Sequence, residues 1–166
     1  MKDKQLQHHQ VNFDSNTVMK ISVLLDKINS PANLGSIFRN ADAFDVKTIW
    51  VHEDNENDLK SNRFKRTSRS TEKNITTLFY KEVKSVLNEF DGFKAGLEIT
   101  LNSKDITEIS KNKAENILLV LGNEKEGITE NILNHLNQSF HIKMLGENTS
   151  LNVAQTLGIA LYEIRR

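Results

Sequence analysis

Short runs rich in Val, Ile, Leu and aromatic residues alternate with longer segments of helical periodicity along nearly the whole chain, and this alternation leaves few folds open. Residues 20–25, 48–51, 75–80, 93–99, 117–121 and 140–144 are predicted strands, and residues 33–44, 83–90, 129–136 and 151–164 predicted helices. Strands and helices in alternation build a mainly parallel sheet covered by helices on both faces, so the expected class is α/β. In the last helix Val153, Ala154, Leu157, Leu161 and Ile164 recur at helical spacing, which makes a buried stripe and not a chemical site.

A length of 166 residues suits one domain with a sizeable core. Residues 19–166 are expected to form it, preceded by a polar, weakly patterned arm over residues 1–18. Hydrophobic residues at 37% and charged residues at 27% fit a globular chain, and no apolar run is long enough to span a bilayer. The opening MKDKQLQHHQ has no apolar stretch of the signal-peptide kind, so a cytoplasmic location is expected. The absence of Cys excludes disulfides, a thiolate nucleophile and a cysteine zinc site. The histidines, His8, His9, His52, His135 and His141, show no ligand spacing beyond the adjacent first pair, so no metal is expected.

Lys plus Arg and Asp plus Glu balance at 22 each, so charge matters here only through its distribution. An acidic stretch, Glu53, Asp54, Glu56 and Asp58, precedes Lys60, Arg63, Lys65, Arg66, Arg69 and Lys73, opposed there only by Glu72. This basic segment reads either as a solvated, flexible loop or as a phosphate-contacting patch.

Ligands of open α/β sheets gather at the carboxyl ends of the strands, which directs attention to three segments. In residues 28–39, INSPANLGSIFR, Asn33 is suited to cap a helix, Gly35 permits a close backbone approach and Arg39 follows. Residues 121–127, LGNEKEG, are a strand end and a tight Gly-bounded turn, and residues 144–152, MLGENTSLN, run from a strand through a polar loop into a helix. Taken singly, Asn33 and Ser150 read as helix caps, Gly122 and Gly127 as turn glycines, Glu124 as a solvated carboxylate and Arg39 as a surface residue. No G-x-G-x-x-G turn follows any strand, which argues against an ordinary dinucleotide-binding arrangement.

Together and in this order, the three segments resemble the three motifs of the SpoU (TrmH-like) branch of the SPOUT RNA methyltransferases. Asn33, Gly35 and Arg39 match the first motif, Gly122, Glu124 and Gly127 the second, and Ser150, Leu151 and Asn152 within SLNVA the third. The chain departs from the common pattern at Lys143, where the family commonly has Pro, and at Asp45, where it commonly has Gly.

The resemblance implies a SPOUT fold with a deep C-terminal trefoil knot, S-adenosylmethionine as cofactor and transfer of its methyl group to an RNA ribose 2′-oxygen. Backbone around Leu97, Gly122, Ile142, Met144 and Leu151 would hold the cofactor. Arg39 is then the foremost catalytic residue. An arginine stays protonated in nearly all protein settings, which favours gripping phosphate and stabilising the nascent alkoxide over acting as a base. Asn33 would orient Arg39 or the ribose, Glu124 would organise the site, and Ser150 and Asn152 would position substrate and loop. Arg63, Arg66 and Arg69 become the RNA-binding candidates. The resemblance further implies a homodimer, with recognition resting on the catalytic dimer and tRNA favoured over ribosomal RNA. The competing expectations are a ribosomal RNA methyltransferase and a catalytically silent SPOUT-fold protein that only binds RNA.

Overall fold

The computed structural model describes Gln7, Val11 and residues 19–112 and 114–166. The expected N-terminal arm, with His8 and His9, otherwise lies outside the described residues.

Seven parallel strands form one sheet in the order β3-β2-β1-β6-β4-β7-β5. The strands are β1 (Lys20–Leu25), β2 (Thr48–His52), β3 (Thr76–Tyr80), β4 (Phe93–Leu97), β5 (Lys104–Asp105), β6 (Asn116–Leu121) and β7 (Gln138–His141). The helices are α1 (Pro31–Ala43), α2 (Glu56–Lys60), α3 (Asn62–Ser68), α4 (Val83–Glu89), α5 (Glu130–Leu133) and α6 (Val153–Arg165). Central β1 and β6 pair in register from Lys20↔Asn116 to Leu25↔Leu121.

Side-chain parity divides the core. Ile21, Val23 and Leu25 of β1, with Ile117, Leu119 and Leu121 of β6, pack with residues of α1, α3 and α6 on one face. Leu24, Leu118 and Val120 point the other way, into a smaller cluster with Val86 and Leu87 of α4 and Ile132 of α5. Both faces are therefore covered, as the uninterrupted apolar runs of β1 and β6 require.

Two boundaries bear on the site. α1 starts at Pro31, with Ser30 as its cap, and not at Asn33; the Ser30 side chain accepts from the Asn33 backbone N–H, and proline suits the first turn. That leaves the Asn33 side chain free for other partners. At the other end of the chain the cap of α6 is Asn152, whose side-chain oxygen accepts from Ala154 N at 2.9 Å, so capping does not fall to Ser150.

The basic segment is helical, which corrects its reading as a loop. Ser61 caps α3 by accepting from Phe64 N at 3.2 Å, and Phe64 is 1% exposed, meeting Phe38 of α1 edge-on with ring centroids 5.3 Å apart. Burying one such ring stabilises by roughly 1.5–3 kcal/mol, enough to order a short helix with too few apolar residues to show a period. Gly35 is the close approach expected of it: a Cβ there would lie 2.7 Å from Phe64 O and 2.9 Å from Ser68 N. The turn after α1 places Asp45 at φ 56°, the left-handed conformation that accounts for the glycine expected there. Arg165 ties the end of α6 to this corner, donating to the carbonyls of Phe44, Met19 and Asp45 at 3.0, 3.0 and 3.2 Å.

Candidate active site

Crossovers leave β1 toward β2 and leave β6 toward β7 on the opposite side, so the strand order reverses between the two central strands. The cleft expected at such a switch point is present. About 840 Å³ in volume, it is walled by the ends of β4, β6 and β7, the turn 122–127 and the segment leading into α6. Leu97, Gly122, Ile142, Met144 and Leu151 all line it, as do Asn33, Glu124, Ser150 and Asn152.

A chain of side-chain hydrogen bonds knits the three segments together. Asn33 Nδ2 donates to Glu124 Oε1 at 2.8 Å, and Asn33 Oδ1 accepts from Asn152 Nδ2 at 2.9 Å. Glu124 also accepts from the backbone N–H of Asn29 at 2.9 Å and of Ser30 at 3.3 Å. Partial burial pushes its carboxyl pKa upward, but the hydrogen bonds from Asn29, Asn33, its own backbone and Ser30 outweigh this and hold it below the ordinary value. The carboxylate is thus kept charged and fixed, and because Asn33 spends its amide on Glu124 and its carbonyl on Asn152, both ends of that side chain are oriented.

Arg39 and the arginines of α3 lie elsewhere. Arg39 is exposed on α1, six residues beyond Asn33, a rise of roughly 9 Å along the axis, and does not line the cleft. It stands one turn beyond Gly35, on the side of α1 that meets α3. Arg63, Arg66 and Arg69 are exposed on α3, with Arg69 as its left-handed C-cap. Arg39 thus lies on the side of α1 that packs on α3, the helix carrying the other three arginines, and none of the four lines the cleft.

Two groups escaped the sequence reading. Glu98 lines the cleft and accepts from Ile128 N at 2.9 Å and from Ile99 N at 3.0 Å, bracing the second-motif turn; the expectation that β4 ran on to residue 99 hid it. Asn123 fastens the same turn to the end of β1, donating to Lys27 O at 2.8 Å and accepting from Lys125 N at 2.9 Å. Its signal was the Asn inside the Gly-bounded turn, a residue type that commonly bonds the backbone two residues on. Among the described residues no group of three or more His, Cys, Asp or Glu is placed to hold a metal ion, and no helix is long and apolar enough to cross a membrane.

Fold and cleft together define an α/β domain with its ligand site at the carboxyl edge of a parallel sheet, assembled from three loops distant in sequence. The chain belongs to the SpoU rRNA Methylase family, whose model matches residues 20–162. It is 28% identical over 144 residues to the 23S rRNA (guanosine-2′-O-)-methyltransferase RlmB of Yersinia pestis, covering 87% of this chain and 58% of that protein. It is 27% identical over 146 residues to an uncharacterized tRNA/rRNA methyltransferase of Borreliella burgdorferi, covering 87% of this chain and 63% of that one. The AdoMet-bound rRNA methyltransferase of Sinorhizobium meliloti superposes with a TM-score of 0.78 at 27% identity, covering 88% of this chain and 56% of that chain. The chain thus spans about three-fifths of the length of these curated relatives.

Proposed function

We propose that the protein is an S-adenosylmethionine-dependent RNA 2′-O-ribose methyltransferase. The observation that carries this reading is the Asn33–Glu124–Asn152 relay at the edge of the 840 Å³ cleft, which joins all three family motifs in one hydrogen-bonded unit. The cleft also suits the cofactor. Leu97, Gly122, Ile142, Met144 and Leu151 wall it, and the backbone of residues 143–151 makes no hydrogen bond among the described residues. Peptide groups without internal partners beside apolar side chains suit a flat heterocycle with hydrogen-bonding edges. When bound, S-adenosylmethionine supplies an electrophilic methyl group.

The residues of the chain divide the remaining work. A ribose hydroxyl is a weak nucleophile at neutral pH, so its developing negative charge needs a fixed partner. Arg39 fills that role by gripping phosphate and nascent alkoxide, while Asn33 and Asn152, locked by Glu124, set the ribose and Ser150 positions the substrate. Arg63, Arg66 and Arg69 hold flanking phosphates along α3. The placement of β7 between β4 and β5, both earlier in the chain, supports a knotted C-terminal segment. The protein acts in the cytoplasm as a homodimer, to which the exposed Ile159 and Tyr162 of α6 offer an apolar face.

The family resemblance favours tRNA as substrate, and the likeness to RlmB favours ribosomal RNA as the second reading. The test is incubation with radiolabelled S-adenosylmethionine and bulk tRNA, and separately ribosomal RNA. Label recovered as a 2′-O-methyl nucleotide, lost in Arg39→Ala and strongly reduced in Arg39→Lys, is the expected result. A full-activity Arg39→Lys would rule out the planar two-pronged grip, and absence of cofactor binding would overturn the enzyme reading.

A further inference from the structure

A second cavity, about 340 Å³, lies across the 122–127 turn from the first. Where the cofactor cleft covers the ends of β4, β6 and β7, this one covers the ends of β1, β2 and β3, lined there by Asp26, Lys27, His52, Tyr80 and Lys81. Asn123, Glu126 and Gly127 line both cavities, so the two are neighbours across a single turn. Its volume falls in the roughly 300–1,000 Å³ range of small-ligand pockets.

Asp26 distinguishes the cavity. Its residue is only 8% exposed, yet its carboxylate receives no hydrogen bond and forms no ion pair among the described residues. Burial raises its pKa, with Lys27 and His52 pulling it down and Glu126 pushing it further up. Its oxygens are not sealed from solvent: they open into the cavity, where a ligand carrying paired N–H donors would replace water. The other buried walls are Tyr80, His52 and Ile132, and the Tyr80 hydroxyl and His52 Nδ1 are already partnered. Tyr80 donates to Leu25 O at 2.9 Å, and its ring meets that of His52 edge-on at 5.3 Å between centroids. Lys27 and Lys81 are exposed at the rim beside the equally exposed Glu82 and Glu126, and Lys81 pairs with Glu53 at 3.8 Å.

A carboxylate in a cavity walled by aromatic rings, with lysines and glutamates mixed at its rim, matches a splayed-out nucleobase. Two carboxylate oxygens side by side call for two adjacent N–H donors. Guanine presents them, as its ring N1–H and exocyclic amino group. Adenine and cytosine set a ring acceptor beside the amino group, and uracil flanks its one N–H with carbonyls; each would face the carboxylate with lone pairs. We propose that this second cavity is the recognition pocket for a guanine base of the substrate RNA, with Asp26 accepting both of its adjacent N–H groups. The proposal rests on the RNA methyltransferase reading of the neighbouring cleft.

The test is an NMR titration of the full chain, saturated with S-adenosylmethionine, against guanosine, inosine, adenosine, cytidine and uridine 5′-monophosphates. The backbone amides of Lys27, Lys81 and Gly127 are followed. Guanosine monophosphate is expected to shift them saturably and to bind most tightly, with inosine monophosphate, which lacks the amino group, weaker. Asp26→Asn should weaken the guanine nucleotide about ten- to hundredfold, the loss expected for hydrogen bonds to a charged acceptor, and leave S-adenosylmethionine affinity unchanged. No guanine-induced shift, equal affinity for all the nucleotides, or an Asp26→Asn protein of unaltered preference would each overturn the proposal. Wild-type selectivity is decisive even if the variant folds poorly. Failure of S-adenosylmethionine itself to bind would instead strike the underlying functional reading.

Discussion

Replacing Gly35 by Ala sets two effects of known sign against each other. In an ordinary helix interior the substitution stabilises by about 0.5–1 kcal/mol, because glycine loses more backbone freedom on folding than alanine. Here the added methyl would meet the Thr67 hydroxyl and lie 2.7 Å from Phe64 O and 2.9 Å from Ser68 N. The hydroxyl can rotate away by giving up its bonds to Arg63 O and Phe64 O, but the two backbone atoms can yield only if α3 moves off α1. Overpacking of this kind costs about 1–3 kcal/mol, and motion of α3 would also loosen the Phe38–Phe64 contact, so the clash outweighs the propensity gain. A net loss of about 1–2 kcal/mol corresponds to a fall in Tm of roughly 2–8 °C for a chain of this size. Thermal unfolding followed by circular dichroism at neutral pH measures it. The double variant Gly35→Ala with Thr67→Ala should recover only part of the loss, because the backbone contacts remain. A single variant that melts at or above the wild-type temperature would refute the backbone-to-backbone packing of α1 on α3.

Glu124 carries a pH signature. Its folded pKa lies below the ordinary value, so its contribution is present above the unfolded-state pKa of about 4.3 and is lost as the pH falls through the lower folded value. Denaturant unfolding between roughly pH 2 and 6 should show Glu124→Gln removing that segment of the acid-stability profile, worth about 1 kcal/mol after allowance for solvent screening; an unaltered profile counts against the fixed carboxylate. The exposed face of α3 makes a separate prediction. Changing Arg63, Arg66 and Arg69 together to Ala should weaken RNA binding and flatten the slope of log affinity against log salt by about 2, as expected for three lost contacts to single-stranded RNA. Filter binding over a salt series reads it, and an unchanged slope would remove α3 from the RNA interface.

The sheet was legible because its central strands are apolar on both faces: Ile117–Leu121 permits little else, and parity alone sends Leu119 and Leu118 to opposite cores. β5, at two residues, carries no pattern, and α3 was hidden because a seven-residue helix held by one buried ring, Phe64, has no period to detect. The three loops of the site were visible as strand ends followed by Gly, Asn and acidic residues. Their mutual bonds were not, because nothing in local chemistry indicates that Asn33 faces Glu124 and Asn152 rather than capping α1. Asp26 was invisible for a related reason. A carboxylate after a strand looks solvated until the strands beside it, with His52 and Tyr80, are seen to close over it.

The relay through Asn33 also says when in folding the site comes into being. Its two side-chain bonds span 91 and 119 residues of sequence; the first needs the turn after β6 in place, and the second needs α6 docked against α1. Contacts so distant are closed late, after the local helices and the first strand pairs have formed. A chain arrested before that step would hold most of its sheet, with Asn33 lacking its Asn152 partner and the proposed site unfinished. For the proposed enzyme, activity would therefore certify that the C-terminal segment has arrived, and a partly folded molecule would be a silent one.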